Sequence, residues 1–134
     1  MNKPANNLTS QLSKVKRFKS CSKRSCAIND PPICNAKNVV YKGICTVCKA
    51  FYIGSTSRLF HDRVAEHFQA SRATSIFKHA STHSESPKNI FTFSVVSRHN
   101  SEIRCRIAEA MTIKNLNPSL NNREEFIDYT MFLI

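Results

Sequence analysis

The chain has 134 residues, enough for one domain with a tail and too few for a polymerase, a two-domain dehydrogenase or a barrel enzyme. Apolar residues make up 41%, which supports a core, and the only two glycines, Gly43 and Gly54, stand apart, which excludes a glycine-rich phosphate loop. Lys and Arg number 20 against 9 Asp and Glu, for a net charge of +11, which points to an anionic partner such as nucleic acid; a solubilising basic surface is the plainer alternative.

Residues 1–37 read as a basic, cysteine-containing arm or linker. They carry eight bases against the single acid Asp30, and Pro31-Pro32 is expected to break any regular element. Lys14, Lys16, Arg17 and Lys19 surround one aromatic, Phe18, with Lys23 and Arg24 close behind. This cluster suits contact with a DNA backbone or a nuclear localisation signal, and a solvated tail is the alternative. No apolar run marks a signal peptide or reaches the roughly 18 residues of a membrane helix, so the expectation is an intracellular, nuclear protein without a membrane partner.

Order is expected from Asn38, with a second unit over 38–134. Val39, Val40, Tyr41 and Ile44 predict a strand, and Phe51-Tyr52-Ile53 a second, joined by a tight turn that carries cysteines. Ser55-Thr56-Ser57 offers capping hydroxyls for a helix over Arg58–Gln69, with Phe60, Val64 and Phe68 on one stripe and Leu59, Arg63 and His67 on the next. A second helix is predicted over Ser75–His83, a loop over Ser84–Lys88 and a third strand over Phe91–Ser97. A third helix starts near Ser101, packs Ile103, Ile107, Ala110 and Met111 inward, and stops before Pro118. Residues 122–133 suggest a last short helix. The order predicts an α/β fold: a small three-stranded antiparallel sheet flanked by helices.

Cys45-x2-Cys48 followed by His79-x3-His83 has metal-ligand spacing. Two thiolates from a hairpin and two imidazoles from one helix face suit tetrahedral Zn²⁺. The 30 residues between Cys48 and His79 far exceed the finger linker of about 12, so the ion would pin the hairpin turn to the second helix across a folded domain. Buried thiols and unrelated surface histidines are the alternative. Cys21, Cys26 and Cys34 fall one ligand short of a second site; Cys34 alternatively is a buried thiol, and Cys105 reads as core.

The stretch from Asn38 to Asn121 resembles the GIY-YIG nuclease family. Val39-Val40-Tyr41 stands at the first motif and departs from G-I-Y, whereas Tyr52-Ile53-Gly54 keeps the second, with the tyrosines 11 apart. Arg63 and His67 follow at i, i+4, then Glu109 and, 12 residues on, Asn121. The cysteines before Tyr41 and between the tyrosine motifs, with the later histidines, are most similar to the endonuclease domain of Penelope-like retroelements, where a reverse transcriptase is the usual companion.

The resemblance implies phosphodiester hydrolysis in DNA. Glu109 would hold Mg²⁺ or Mn²⁺, on a helix stripe that predicts half burial with Cys105 and Ile113. Arg63 would clamp the scissile phosphate, where a planar fork suits two oxygens. Tyr41 would act as base or orient the water, Tyr52 would position the phosphate, His67 would relay a proton, and Asn121 would fix the metal shell or a backbone turn. One such site nicks one strand, and cutting both would take a homodimer or two encounters. A catalytically inactive, zinc-stabilised nucleic-acid-binding module and a small disulfide-bonded interaction protein are the competing readings.

Overall fold

The computed structural model describes residues 26, 28 and 30–121. Lys14, Lys16, Arg17, Lys19, Lys23, Arg24 and Cys21, with the helix expected over 122–133, lie outside the described residues.

Three antiparallel strands form the sheet: β1 (Val39–Cys45), β2 (Phe51–Thr56) and β3 (Phe91–Arg98), in the order β2-β1-β3. β1 is central and buried on both faces along most of its length, which suits its β-branched Val39 and Val40. The hairpin register pairs Tyr41 with Gly54 and Gly43 with Tyr52, so Tyr41, Gly43, Tyr52 and Gly54 share one face. The expected antiparallel sheet with flanking helices is therefore what forms. β2 runs two residues past Gly54, because Ser55 and Thr56 pair with Val40 and Val39.

Helix α1 is a single turn, Pro31–Cys34. The two prolines expected to interrupt structure instead open it, since the first helical turn needs no donor from proline. Cys34 is fully buried, while Ile28, Ile33 and Ala36 pack against the core, so packing begins before Asn38. Helix α2 (Phe60–His67) is shorter than expected at both ends. Ser55-Thr56-Ser57 does not cap it: Leu59 stands at the N-cap without a side-chain bond, because Ser55 and Thr56 are drawn into the sheet. Helix α3 (Ser75–Thr82) is capped by Thr74, whose hydroxyl accepts from the Phe77 amide. The loop expected over Ser84–Lys88 contains the start of a one-turn helix, α4 (Pro87–Ile90).

Helix α5 (Glu102–Leu116) starts at Ser101, whose hydroxyl accepts from the Arg104 amide, and ends at Asn117 with φ 48°, one residue before Pro118. Its inward face matches expectation at Cys105 and Ala110 and differs at Ile103 and Met111. Ile103 and Met111 are exposed, whereas Cys105, Glu109, Ala110 and Ile113 are buried. Apolar residues lie on every side of this helix, so periodicity alone could not select the face.

Two apolar layers sandwich the sheet. Val39, Tyr41, Cys45 and Tyr52 pack with Phe60 and Val64 of α2, Ile76 and Ala80 of α3, and Ile90 and Phe91. Val40 and Ile53, on the other face, pack with Cys105 and Ile113 of α5. Among the described residues no helix is long and apolar enough to cross a membrane.

Candidate active site

Tyr41, Tyr52, Arg63 and His67 meet on the α2 face of the sheet. β1 and β2 present the tyrosine rings diagonally, with centroids 6.2 Å apart. Arg63 and His67 follow one another by a single helical turn, so α2 delivers both to the same place. The Tyr41 oxygen lies 2.7 Å from His67 Nε2 and accepts from Arg63 Nε at 3.2 Å. The His67 ring also meets Tyr52 edge-on at 5.4 Å and stacks on Phe93 at 6.0 Å.

Gly54 makes this crowding possible. A Cβ there would fall 2.6 Å from both Cζ and the hydroxyl of Tyr41 and 2.7 Å from Tyr52 Cε1. The third residue of the Tyr-Ile-Gly motif is thus the floor beneath both rings.

Burial, with the neighbouring Arg63 guanidinium, pushes His67 down to about 3. It is fully buried, and its Nδ1 has no hydrogen-bond partner among the described residues. It is well placed as a neutral hydrogen-bond partner that fixes Tyr41. For Arg63, burial opposes the charge, but Tyr41 and Glu66 outweigh it and hold the guanidinium above its ordinary value.

Glu66 is the residue that sequence reading missed. It is buried at 6% exposure, and its carboxylate receives Arg58 Nη1 at 2.7 Å, Arg58 Nη2 at 2.9 Å and Arg63 Nη1 at 2.9 Å, with Arg72 Nη2 at 3.7 Å. The hydrogen bond from Arg58 is the strongest influence on Glu66; burial opposes it, Arg63 reinforces it, and the carboxyl falls to about 2. The available signal was its position three residues after Arg63, on the same side of the helix.

Glu109 comes from the other layer. It is 4% exposed, more buried than expected, and lies one turn from both Cys105 and Ile113 on the inward stripe of α5. Burial, with Glu109 nearby, pushes the Cys105 thiol up to about 11, which leaves an inert core thiol. The two layers meet in a cleft of about 180 Å³ past the end of β2, lined by Ser55, Ser57, Arg58 and Arg63 on one side and by Glu102, Cys105 and Arg106 on the other.

Asn121 does not reach toward this cluster. Its Oδ1 accepts from the Ile53 amide at 2.9 Å and its Nδ2 donates to the Ile53 carbonyl at 2.7 Å. It extends the pairing of β2 at its open edge.

The ligand atoms of Cys45, Cys48, His79 and His83 all lie within 4.8 Å of one another. Cys48 Sγ is 3.2 Å from His79 Nε2, which is 3.2 Å from His83 Nε2. Zn–S bonds of about 2.3 Å and Zn–N bonds of about 2.0–2.1 Å in a tetrahedron set neighbouring ligands about 3.3–3.8 Å apart, so these four residues suit zinc. Cys45 and Cys48 come from the hairpin end, His79 from α3 and His83 from the residue capping it. Among the described residues no second such cluster occurs, and Cys34 is a buried thiol.

Paired tyrosines on a hairpin and an arginine one helix away thus share one face of the sheet, with Glu109 on the helix packed against the other. Residues 37–124 match the GIY-YIG catalytic domain, and the chain belongs to that family. The family is one of nucleases, which makes DNA the substrate class. No curated protein and no solved structure matches the chain.

Proposed function

We propose that this protein is a metal-dependent DNA endonuclease that nicks one strand at each encounter. The observation that carries the reading is the convergence on the Tyr41 oxygen, where Arg63 Nε donates at 3.2 Å and His67 Nε2 lies at 2.7 Å. An ordinary tyrosine titrates near 10. A cation beside its oxygen favours the phenolate, which lets Tyr41 take a proton from the attacking water. His67 stays neutral and holds the ring. Arg63 reaches the scissile phosphate with donors not committed to Tyr41 and Glu66, and Tyr52 completes the wall of the site.

Glu109 is the residue that would hold Mg²⁺ or Mn²⁺, since a carboxylate buried in an apolar stripe suits a cation. A divalent ion there supplies neutralisation of the charge that develops on the phosphate. Cys45, Cys48, His79 and His83 would hold a structural Zn²⁺ that ties the hairpin to α3.

The proposal extends to origin. The cysteines around the first tyrosine motif support descent from a Penelope-like retroelement, and sequencing the flanking DNA for a reverse-transcriptase frame tests it. The basic arm would add DNA contacts and nuclear entry, and cleavage of both strands would require a homodimer or two encounters. Deleting residues 1–25 should flatten the salt dependence of DNA binding.

The departure from G-I-Y at Val39-Val40-Tyr41 favours one competing reading, a zinc-stabilised nucleic-acid-binding module without activity. Relaxation of supercoiled plasmid separates the two. Mg²⁺-dependent open circles that disappear with EDTA and in Arg63→Ala support the nuclease. Salt-sensitive DNA binding without open circles supports the binding module.

A further inference from the structure

The cleft past β2 holds more cationic machinery than a single phosphate clamp needs. Arg58, Arg63 and Arg106 line it against one lining carboxylate, Glu102, to which Arg106 is already paired at 2.7 Å. Beneath two of these arginines lies Glu66, whose Oε1 receives both Arg58 Nη2 and Arg63 Nη1 at 2.9 Å. One buried carboxylate thus fixes two guanidinium forks at once. An exposed arginine ordinarily loses rotamer freedom when it binds an anion, and Arg58, with its side chain 57% exposed, has had that freedom removed beforehand.

We propose that Arg58 and Arg63 form a cradle for two successive DNA phosphates, with Arg63 on the scissile group, Arg58 on its neighbour, and Glu66 as the positioning residue that sets both forks. The inference rests on the nuclease reading above. Arg63 is tied at Nε to Tyr41 and at Nη1 to Glu66, which turns its remaining donors toward the cleft. Arg58 has no such tie to the tyrosines. It lies two residues beyond the end of β2, with its amide bonded to the Thr56 hydroxyl at 3.1 Å, and the hydroxyls of Ser55 and Ser57 line the same opening. The cleft, of about 180 Å³, has room for a phosphate group with part of its hydration. Phosphate geometry suits a planar fork, so lysine is a poor replacement for Arg58.

The test uses the full chain and a DNA duplex whose nick position has been mapped. Arg58→Ala should raise KM about tenfold, the scale of one charge-assisted contact, and should lower the salt slope of duplex binding by about 0.9. Arg58→Lys should recover the salt slope but not KM. Replacing the phosphate next to the nick with an uncharged methylphosphonate should weaken wild type and leave Arg58→Ala indifferent. Glu66→Gln should lower kcat and raise KM together, because both forks lose their anchor, while the exposed control Lys114→Ala moves neither. Equal responses of wild type and Arg58→Ala to the methylphosphonate overturn the cradle. If wild type itself makes no Mg²⁺-dependent open circles, the nuclease assignment has failed, a different outcome from an inert Arg58.

Discussion

The Tyr41 oxygen lies 2.7 Å from His67 Nε2, a contact that joins the central strand to the last turn of α2 inside the core. Removing the hydroxyl deletes the acceptor for Arg63 Nε and the partner of His67 together. Tyr41→Phe should therefore lower nicking by about 10²–10⁴-fold, the range for a lost general base. Plasmid-nicking rates under single-turnover conditions check this, and activity within twofold of wild type would remove Tyr41 from the chemistry.

His67 also makes the fold sensitive to acid. The group ordinarily titrates near 6.5 and here is pushed down to about 3, chiefly by burial. Between those values the unfolded chain binds a proton that the folded chain refuses, so stability is full above about 6.5 and declines as pH falls toward 3. Glu66, lowered from 4.5 to about 2, adds a loss that begins only below about 4.5. The Tm of wild type should fall more than that of His67→Gln between pH 7 and 5, with the other histidines common to both. Parallel curves would contradict a buried neutral His67.

Two glycine replacements should differ in severity. Gly54→Ala puts a Cβ 2.6 Å from Cζ and Oη of Tyr41, which is locked in the core, and should cost about 1–3 kcal/mol along with most of the activity. Gly43→Ala meets Phe93 Cε1 at 2.9 Å and Ile76 Cδ1 at 3.1 Å, longer approaches than at Gly54, and the Phe93 ring is only partly buried whereas Tyr41 is fully buried. Denaturant midpoints should rank Gly54→Ala below Gly43→Ala, and the reverse order would mean the rings adjust freely.

Removing zinc should loosen the join between the hairpin and α3. Elemental analysis should find one zinc per chain, and Cys48→Ser or His83→Ala should release it and lower Tm, as should a strong chelator. Zinc content unaltered in both variants would refute the four-ligand site.

Glu109→Gln keeps the volume of the buried side chain and removes its charge. Mg²⁺-dependent nicking should drop about 10²–10³-fold, by analogy with the loss of one transition-state charge contact, while the far-ultraviolet spectrum and DNA affinity persist. Normal cutting by this variant would place the metal ligand elsewhere.

The strands, the hairpin and the main helices were legible because alternation and helical periodicity are local properties. The register was not read from the sequence, although antiparallel pairing converts spacing into register once the hairpin turn is known, and Tyr41 falls opposite Gly54. Capping was misread at Ser55-Thr56-Ser57 because a local signal for a helix start competed with strand pairing to Val39 and Val40, and the ladder won.

The sequence by itself determined the hairpin, the Cys45-Cys48 and His79-His83 pairs and the i, i+4 placement of Arg63 and His67, since each follows from bonds and helical turns between near neighbours. Only the tertiary structure decided that α5 buries Glu109 almost completely and turns Met111 outward, that Glu66 binds Arg58 and Arg63, and that Asn121 brackets Ile53. A helix with apolar residues on every side takes its orientation from the surface it packs against. A buried carboxylate takes its partners from whichever cations that packing brings within reach, and neither is written in the spacing of neighbours.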